Sequence, residues 1–301
     1  MQGHLKESTR VRYDGLLRTH VLPRWAKVPL AKVQHADIAI WVGDLQRRGL
    51  AGSTVRQAFR VFSLMLSMAV RDGRLPKNPA DGVRLPRAAK KEKRFLSHAE
   101  VESLAQAAGD HGTTIRLLAY CGLRFGEMAA LRVDRVDLQR RRLLVAESVT
   151  EVNGKAVFGT PKTHEKRSIA FPGFLTAGLA ARVEGRQPDD FVFPAPRGGV
   201  LSLRNWRRQV FDPAVGSAGL DKVTPHDLRH TAASLAVQAG GHVKAVQRML
   251  GHSSAAMTLD VYSGLFDDDL DALAERLNDA AVPAACPQAT TISAGSAESA
   301  A

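Results

Sequence analysis

The stretch from Leu75 to Arg94 decides most about how this chain can fold. It reads Leu75-Pro76-Lys77-Asn78-Pro79, then Pro86, then the basic run Lys90-Lys91-Glu92-Lys93-Arg94. Prolines remove backbone donors and clustered like charges resist burial, so this segment can neither continue a helix nor enter a core. The 301 residues therefore divide here into two units, each long enough to bury its own core. We expect a helical unit over 1–86, a linker over 87–95, a second unit over 96–281 and a disordered tail over 282–301.

The first unit is helical throughout by pattern. Val11, Leu16 and Leu17 open it, Ile38, Ile40, Trp41 and Leu45 follow, and Val55 to Val70 is one long apolar-periodic stretch. Its expected breaks are Pro23, Pro29 and the turn Gly49-Leu50-Ala51-Gly52-Ser53, with Ser53 as a helix cap.

The second unit opens on Ser97-His98-Ala99-Glu100, a capping box, and runs helically through Ala108 and from Gly112 to Cys121. Leu143-Leu144-Val145 and Ser168-Ile169-Ala170-Phe171 are short β-type runs, and Asn153-Gly154 between them is a hairpin-turn signal, so a small antiparallel sheet is expected. Helical pattern returns over Phe174–Val183, Leu203–Val215, Pro225–Ala239, Val243–Leu250 and, in an acidic amphipathic form, about Asp267–Leu277. The expected class is α+β: mainly α with one small antiparallel sheet.

The partner is read from charge. A net charge of +12 and a pI near 10.1, carried mostly by Arg, suit planar contacts to phosphate oxygens and make nucleic acid the leading polyanion. Cys121 and Cys286 support neither a disulfide framework nor a thiolate metal site, which fits a reducing compartment. The first residues lack a signal-peptide core and no apolar stretch reaches about 18 residues, so a cytoplasmic, nucleoid-associated protein is expected, with no membrane partner.

Signatures of nucleotide-driven and zinc enzymes are missing: there is no G-x-x-x-x-G-K-[ST], no G-x-G-x-x-G after a strand, no H-E-x-x-H and no paired C-x-x-C. In their place the second unit carries Arg, His, Lys and Tyr near element ends. Attack on a phosphodiester builds negative charge on two non-bridging oxygens, which metal ions or fixed cationic donors must neutralise. Arg124, after Gly122, and Arg229, three residues after His226 on one helical face, are the candidate donors. No cofactor is expected.

Four boxes in order, Tyr120-Cys121-Gly122-Leu123-Arg124-Phe125-Gly126-Glu127, His226-Asp227-Leu228-Arg229-His230, Leu250-Gly251-His252 and Tyr262, resemble those of the tyrosine recombinases, the lambda-integrase-like and Xer-like members of the phage integrase family. The resemblance covers Leu96 to Leu277, and more loosely the first unit, which looks like an all-α, SAM-like core-binding domain ahead of a tyrosine-recombinase catalytic domain. It implies that Arg124 and Arg229 clamp the scissile phosphate with Glu127 as a buried supporting carboxylate, that His226 and His252 handle protons or contact phosphate, and that Tyr262 is the nucleophile. A β-hairpin lysine would protonate the departing 5′ oxygen. Lys162 is the candidate, in competition with Lys155 and Lys166. Lys90, Lys91, Lys93 and Arg94 are read as a strap on DNA phosphates or as a solvated hinge. His230 is given a core hydrogen-bonding role, His242 a helix-start role and Tyr120 a packing role.

The family reading further implies a 3′-phosphotyrosyl intermediate, double-stranded recombination sites as substrate, a homotetramer on two duplexes, and an accessory directionality factor. The C-terminal helix, with Leu265, Phe266, Leu270, Leu273 and Leu277, would dock in cis or on a neighbouring protomer. Two alternatives stand beside it: a type IB topoisomerase-like relaxing enzyme, and an inactive DNA-binding protein on the same fold. Many phage integrases carry a further N-terminal arm-binding domain, and only a few residues precede the first helix here.

Overall fold

The first unit closes around aromatic rings. The computed structural model describes residues 5–87, 93–160 and 166–262, with 274, 275, 277 and 278. Helix α1 (Glu7–Leu16) passes through a widened π turn, Leu17–Val21, into α2 (Leu22–Trp25), and α3 (His35–Arg47) and α4 (Gly52–Arg71) follow. On α4 the buried positions Val55, Ala58, Phe62, Leu66 and Ala69 recur at three- and four-residue spacing and make one apolar stripe. Phe62 stacks on Trp25 at 4.8 Å and meets Trp41 edge-on at 5.4 Å, with Ile38, Val42 and Leu45 around them.

Two expectations change here. Pro23 does not break the helix: the π turn just before α2 shifts the hydrogen-bond register, so the missing proline N–H falls at the start of the new segment. The same device recurs later in the chain, where the π turn Arg207–Phe211 precedes Pro213 and makes the expected Leu203–Val215 helix a composite. Ser53 is not the cap of α4; Ala51 holds that position and Ser53 lies inside the first turn.

In the second unit, α5 (His98–Ala107) starts on the expected capping box: Glu100 N–H donates to Ser97 Oγ at 3.2 Å, and Ser97 N–H donates to Glu100 Oε2 at 2.8 Å. Helix α6 (Gly112–Cys121) is buried on nearly every side and leads to α7 (Phe125–Ala129). Strands β1 (Val136–Asp137), β2 (Arg142–Val145), β3 (Ser148–Val152), β4 (Lys155–Gly159) and β5 (Arg167–Ala170) follow. They form two sheets rather than one. The first is antiparallel in the order β1-β2-β5, with Leu143 opposite Ile169. The second is a separate ribbon, β3-β4, whose turn is Asn153-Gly154 with φ of 50° and 77°. The turn signal was legible, but it closes an inserted hairpin and does not join β2 to β5.

Helices α8 (Thr176–Val183), α9 (Leu203–Trp206), α10 (Asp212–Ser217), α11 (Pro225–Gln238), α12 (Val243–Leu250) and α13 (Ala255–Tyr262) complete the described chain. Helix α11 packs lengthwise on α6 and is the spine of this unit, burying Leu228, Thr231 through Leu235, and Val237. The Leu96 N–H donates to Thr231 Oγ1 at 3.0 Å, which fixes the entry of the chain from the linker onto that spine. No helix among the described residues is long and apolar enough to cross a membrane. The expected helix over Asp267–Leu277 and the tail lie almost wholly outside the described residues, as do Lys90, Lys91 and Lys162.

Candidate active site

The site is assembled from helix ends. Helix α6 stops at Gly122 and α12 stops at Gly251, both left-handed, with φ of 64° and 63°. A helix C-terminus leaves carbonyls without intrahelical partners and carries partial negative charge, so each end attracts a cation. Arg229, on α11 and only 3% exposed, answers both: Nη1 donates to the Gly122 carbonyl and Nη2 to the Leu250 carbonyl. One guanidinium thus fastens two of the boxes to a third. A Cβ at Gly122 would lie 2.7 Å from Leu250 Cδ2, so the junction also requires glycine for space.

Arg124 sits at the N-cap of α7, and Glu127, one turn on, folds back beneath it. Its Oε2 accepts the Arg124 backbone N–H at 2.9 Å and its Oε1 accepts Arg124 Nη1 at 2.8 Å. Glu127 is 2% exposed, and a buried carboxylate is costly unless paired. Its main partner is a residue the sequence reading did not single out. Arg167, at the start of β5, grips the carboxylate with two prongs, Nη2 to Oε2 at 2.6 Å and Nη1 to Oε1 at 3.0 Å. Burial alone would raise the Glu127 pKa; Arg167 and then Arg124 more than offset it and hold it below the usual carboxylate range. Arg229 feels the opposite imbalance: burial, then the Arg124 charge, bring its pKa down to about 9, with Glu127 and Tyr262 opposing.

His252 follows Gly251 and is half-buried, with Nδ1 3.0 Å from the hydroxyl of buried Thr258. Burial and the charges of Arg229 and Arg124 lower its pKa to about 4, so the ring is neutral near pH 7. A neutral ring carries its proton on one nitrogen only, and the contact with Thr258 fixes the ring's orientation.

Tyr262, at the end of α13, is 2% exposed, packed on Phe95 with the Lys93 ammonium 5.7 Å from its ring centre. Burial pushes its pKa up to about 12, against the pull of Arg229. Its hydroxyl meets His230 Nδ1 at 2.8 Å. The hydrogen-bonding role expected of His230 is therefore present, but its partner is Tyr262. Burial, then His226, lower the His230 pKa to about 4. His226, one turn earlier and exposed, stands edge-on to His230 at 4.7 Å.

Of the residues singled out, Arg124, Glu127, Arg229, His252 and Tyr262 converge, and His226 reaches the group through His230. Lys155 and Lys166 are exposed at the ends of β4 and β5. Arg94 turns from the linker to the second unit, pairing with Glu100 at 3.3 Å and with the Asp221 carbonyl. Tyr120 lies apart, its hydroxyl 2.8 Å from His98 Nδ1. Arg167, which was not singled out, and the Tyr262 partner of His230 had signals: Arg167 is two residues from buried Ile169 on one strand face, and His230 is one turn from His226.

The model of the phage integrase family matches residues 94–268. Tyrosine recombinase XerC of Ralstonia pickettii (strain 12J) is 30% identical over 260 residues, 80% of this chain and 77% of that protein. The Tn1549 transposon integrase, solved in complex with transposon right end DNA, superposes with a TM-score of 0.80 at 24% identity, covering 92% of this chain and 95% of that one. A lambda integrase tetramer bound to a Holliday junction gives 0.66 at 20% identity, over 83% and 73%. At these identities the two structures speak for the fold.

Proposed function

This chain belongs to the phage integrase family and is a tyrosine site-specific recombinase, and from that premise we propose how its residues divide the work. Tyr262 Oη attacks a DNA phosphorus, its proton passes through His230 and His226 to solvent, a 3′-phosphotyrosyl ester forms and the bond to the 5′ oxygen breaks. Arg124 and Arg229 neutralise the charge that builds on the non-bridging oxygens, and His252 donates Nε2–H to one of them. Arg229 has five N–H donors, of which two hold carbonyls. His226, on the exposed rim, contacts the phosphate or passes protons, and His230 orients the Tyr262 hydroxyl. Lys162 protonates the leaving oxygen, with Lys155 and Lys166 as competitors; the order of these three rests on the resemblance alone.

The observation that carries the reading is the convergence on Glu127 of guanidiniums from separate elements, within the charge field of a tyrosine from a fourth box. The relaxing-enzyme alternative is not favoured, since the relatives are recombinases. The chain is proposed to grip duplex DNA between a core-binding unit (1–86) and a catalytic unit (96–281), with the 87–95 linker along the phosphates. Four copies would exchange strands between two duplexes through a Holliday junction, integrating or excising a phage or mobile element, with a directionality factor setting the outcome. In this account the protein works in the cytoplasm, on the nucleoid.

A library of nicked duplexes with a randomised central segment tests the chemistry and defines the site. Wild type should leave DNA covalently attached to protein after denaturation, and Tyr262→Phe should not. No adduct from wild type, or an adduct that survives in Tyr262→Phe, overturns the reading.

A further inference from the structure

We propose that Arg167 is a positioning residue of the cleavage reaction, acting through Glu127 to aim Arg124 and to hold the Leu250-Gly251-His252 turn in place. The inference rests on the reading of Arg124 as a phosphate clamp.

Four observations carry it. Arg167 takes both oxygens of Glu127 in a fork, the geometry in which a guanidinium matches a carboxylate best. Its side chain is 11% exposed, so it faces the carboxylate and not the solvent. Its Nε donates to the Met249 carbonyl at 3.4 Å, and a Cβ at Gly251 would lie 2.9 Å from its guanidinium atoms, so the glycine of the third box makes room for this arginine. Finally, it opens β5 and pairs there with Val145 of β2. One side chain thus joins the first box, the third box and the β1-β2-β5 sheet.

Charge arithmetic gives the purpose. Glu127 is faced by Arg124 from the start of α7, Arg167 from β5 and the field of Arg229 from α11. Without Arg167, Glu127 would draw on Arg124 alone, cancelling the charge meant for the phosphate. With Arg167 the carboxylate is already neutralised, and it serves Arg124 as a fixed bracket through Oε1 and the backbone N–H.

The sign follows from burial. Removing Arg167 leaves the desolvation of Glu127 less compensated, so its pKa rises. The bracket then exists above the new pKa and is lost as pH falls through it. The test uses the full chain on a nicked duplex selected by the wild type, measuring single-turnover cleavage from pH 5 to 9 and DNA affinity in parallel. Arg167→Met should cleave on the order of 100-fold more slowly near neutral pH, since misaligning a positioned group by an ångström has effects of that size. The rate should recover toward higher pH, and affinity should be nearly unchanged. Arg167→Lys, which keeps the charge but not the fork, should fall between and carries the test if Arg167→Met does not fold. Glu127→Gln/Arg167→Met should be slow and flat with pH. A wild-type pH profile in Arg167→Lys, or a loss equal at every pH and shared by affinity, overturns the proposal. Failure of wild type to form any adduct would instead sink the parent reading.

Discussion

Two buried clusters in this chain are built on opposite physics. Around Trp25, Trp41 and Phe62 the first unit buries rings and aliphatic side chains, and its cohesion comes from apolar area removed from water. Around Glu127 the second unit buries a carboxylate among Arg124, Arg167 and Arg229, where desolvation opposes most of what the ion pairs return. The first cluster stabilises and does no chemistry. The second is a weak source of stability held in shape by helix ends, glycines and the apolar packing of α6 on α11. Substitutions should therefore separate: rate from the second cluster, stability from the first.

The largest effect expected is in Tyr262→Phe, which removes the reacting oxygen and should abolish the covalent adduct while leaving the fold intact, as read by circular dichroism. Arg124→Ala should slow single-turnover cleavage about 10²- to 10³-fold, the usual effect of losing one preorganised donor to a developing oxyanion, with little change in melting temperature. Trp25→Ala should do the reverse and lower unfolding free energy by about 3–5 kcal/mol in urea titration. Its indole N–H has no hydrogen-bond partner among the described residues, so that loss is one of packing. Equal loss of rate and stability in both variants would break the comparison.

Gly251→Ala blurs the boundary usefully. A left-handed non-glycine residue costs roughly 1–2 kcal/mol, and the Arg167 guanidinium must also shift, so both stability and rate should fall modestly. Acid probes the same cluster. His230 and His252 are held neutral, with pKa values near 4 against 6.5 in an open chain, so the unfolded state binds more protons between those values and stability declines as pH falls from about 6.5 to 4. The urea midpoint should drop across that window and flatten in His230→Asn/His252→Asn.

The sequence made the apolar half more legible than the charged half. Periodicity on α4 and the Ser97 capping box predict their elements because each depends on neighbours in the chain. The π turns before Pro23 and Pro213 were not legible, since a proline reads as a break and the compensating register shift leaves no compositional trace. Within the site, the boxes named Arg124, Glu127, Arg229, His252 and Tyr262. Arg167 escaped because it stands in the run Lys166-Arg167-Ser168, which reads as a solvated turn until strand pairing sets which face is buried. His230 was read as a hydrogen-bonding residue, but its partner escaped because it lies 32 residues away.

The central claim is that the charged cluster serves one nucleophile. Digesting the trapped protein–DNA adduct and locating the modified peptide by mass spectrometry tests it most directly. The account predicts a nucleotide 3′-phosphate on Tyr262; an adduct mapped to Tyr13 or Tyr120, or to any side chain other than Tyr262, contradicts it.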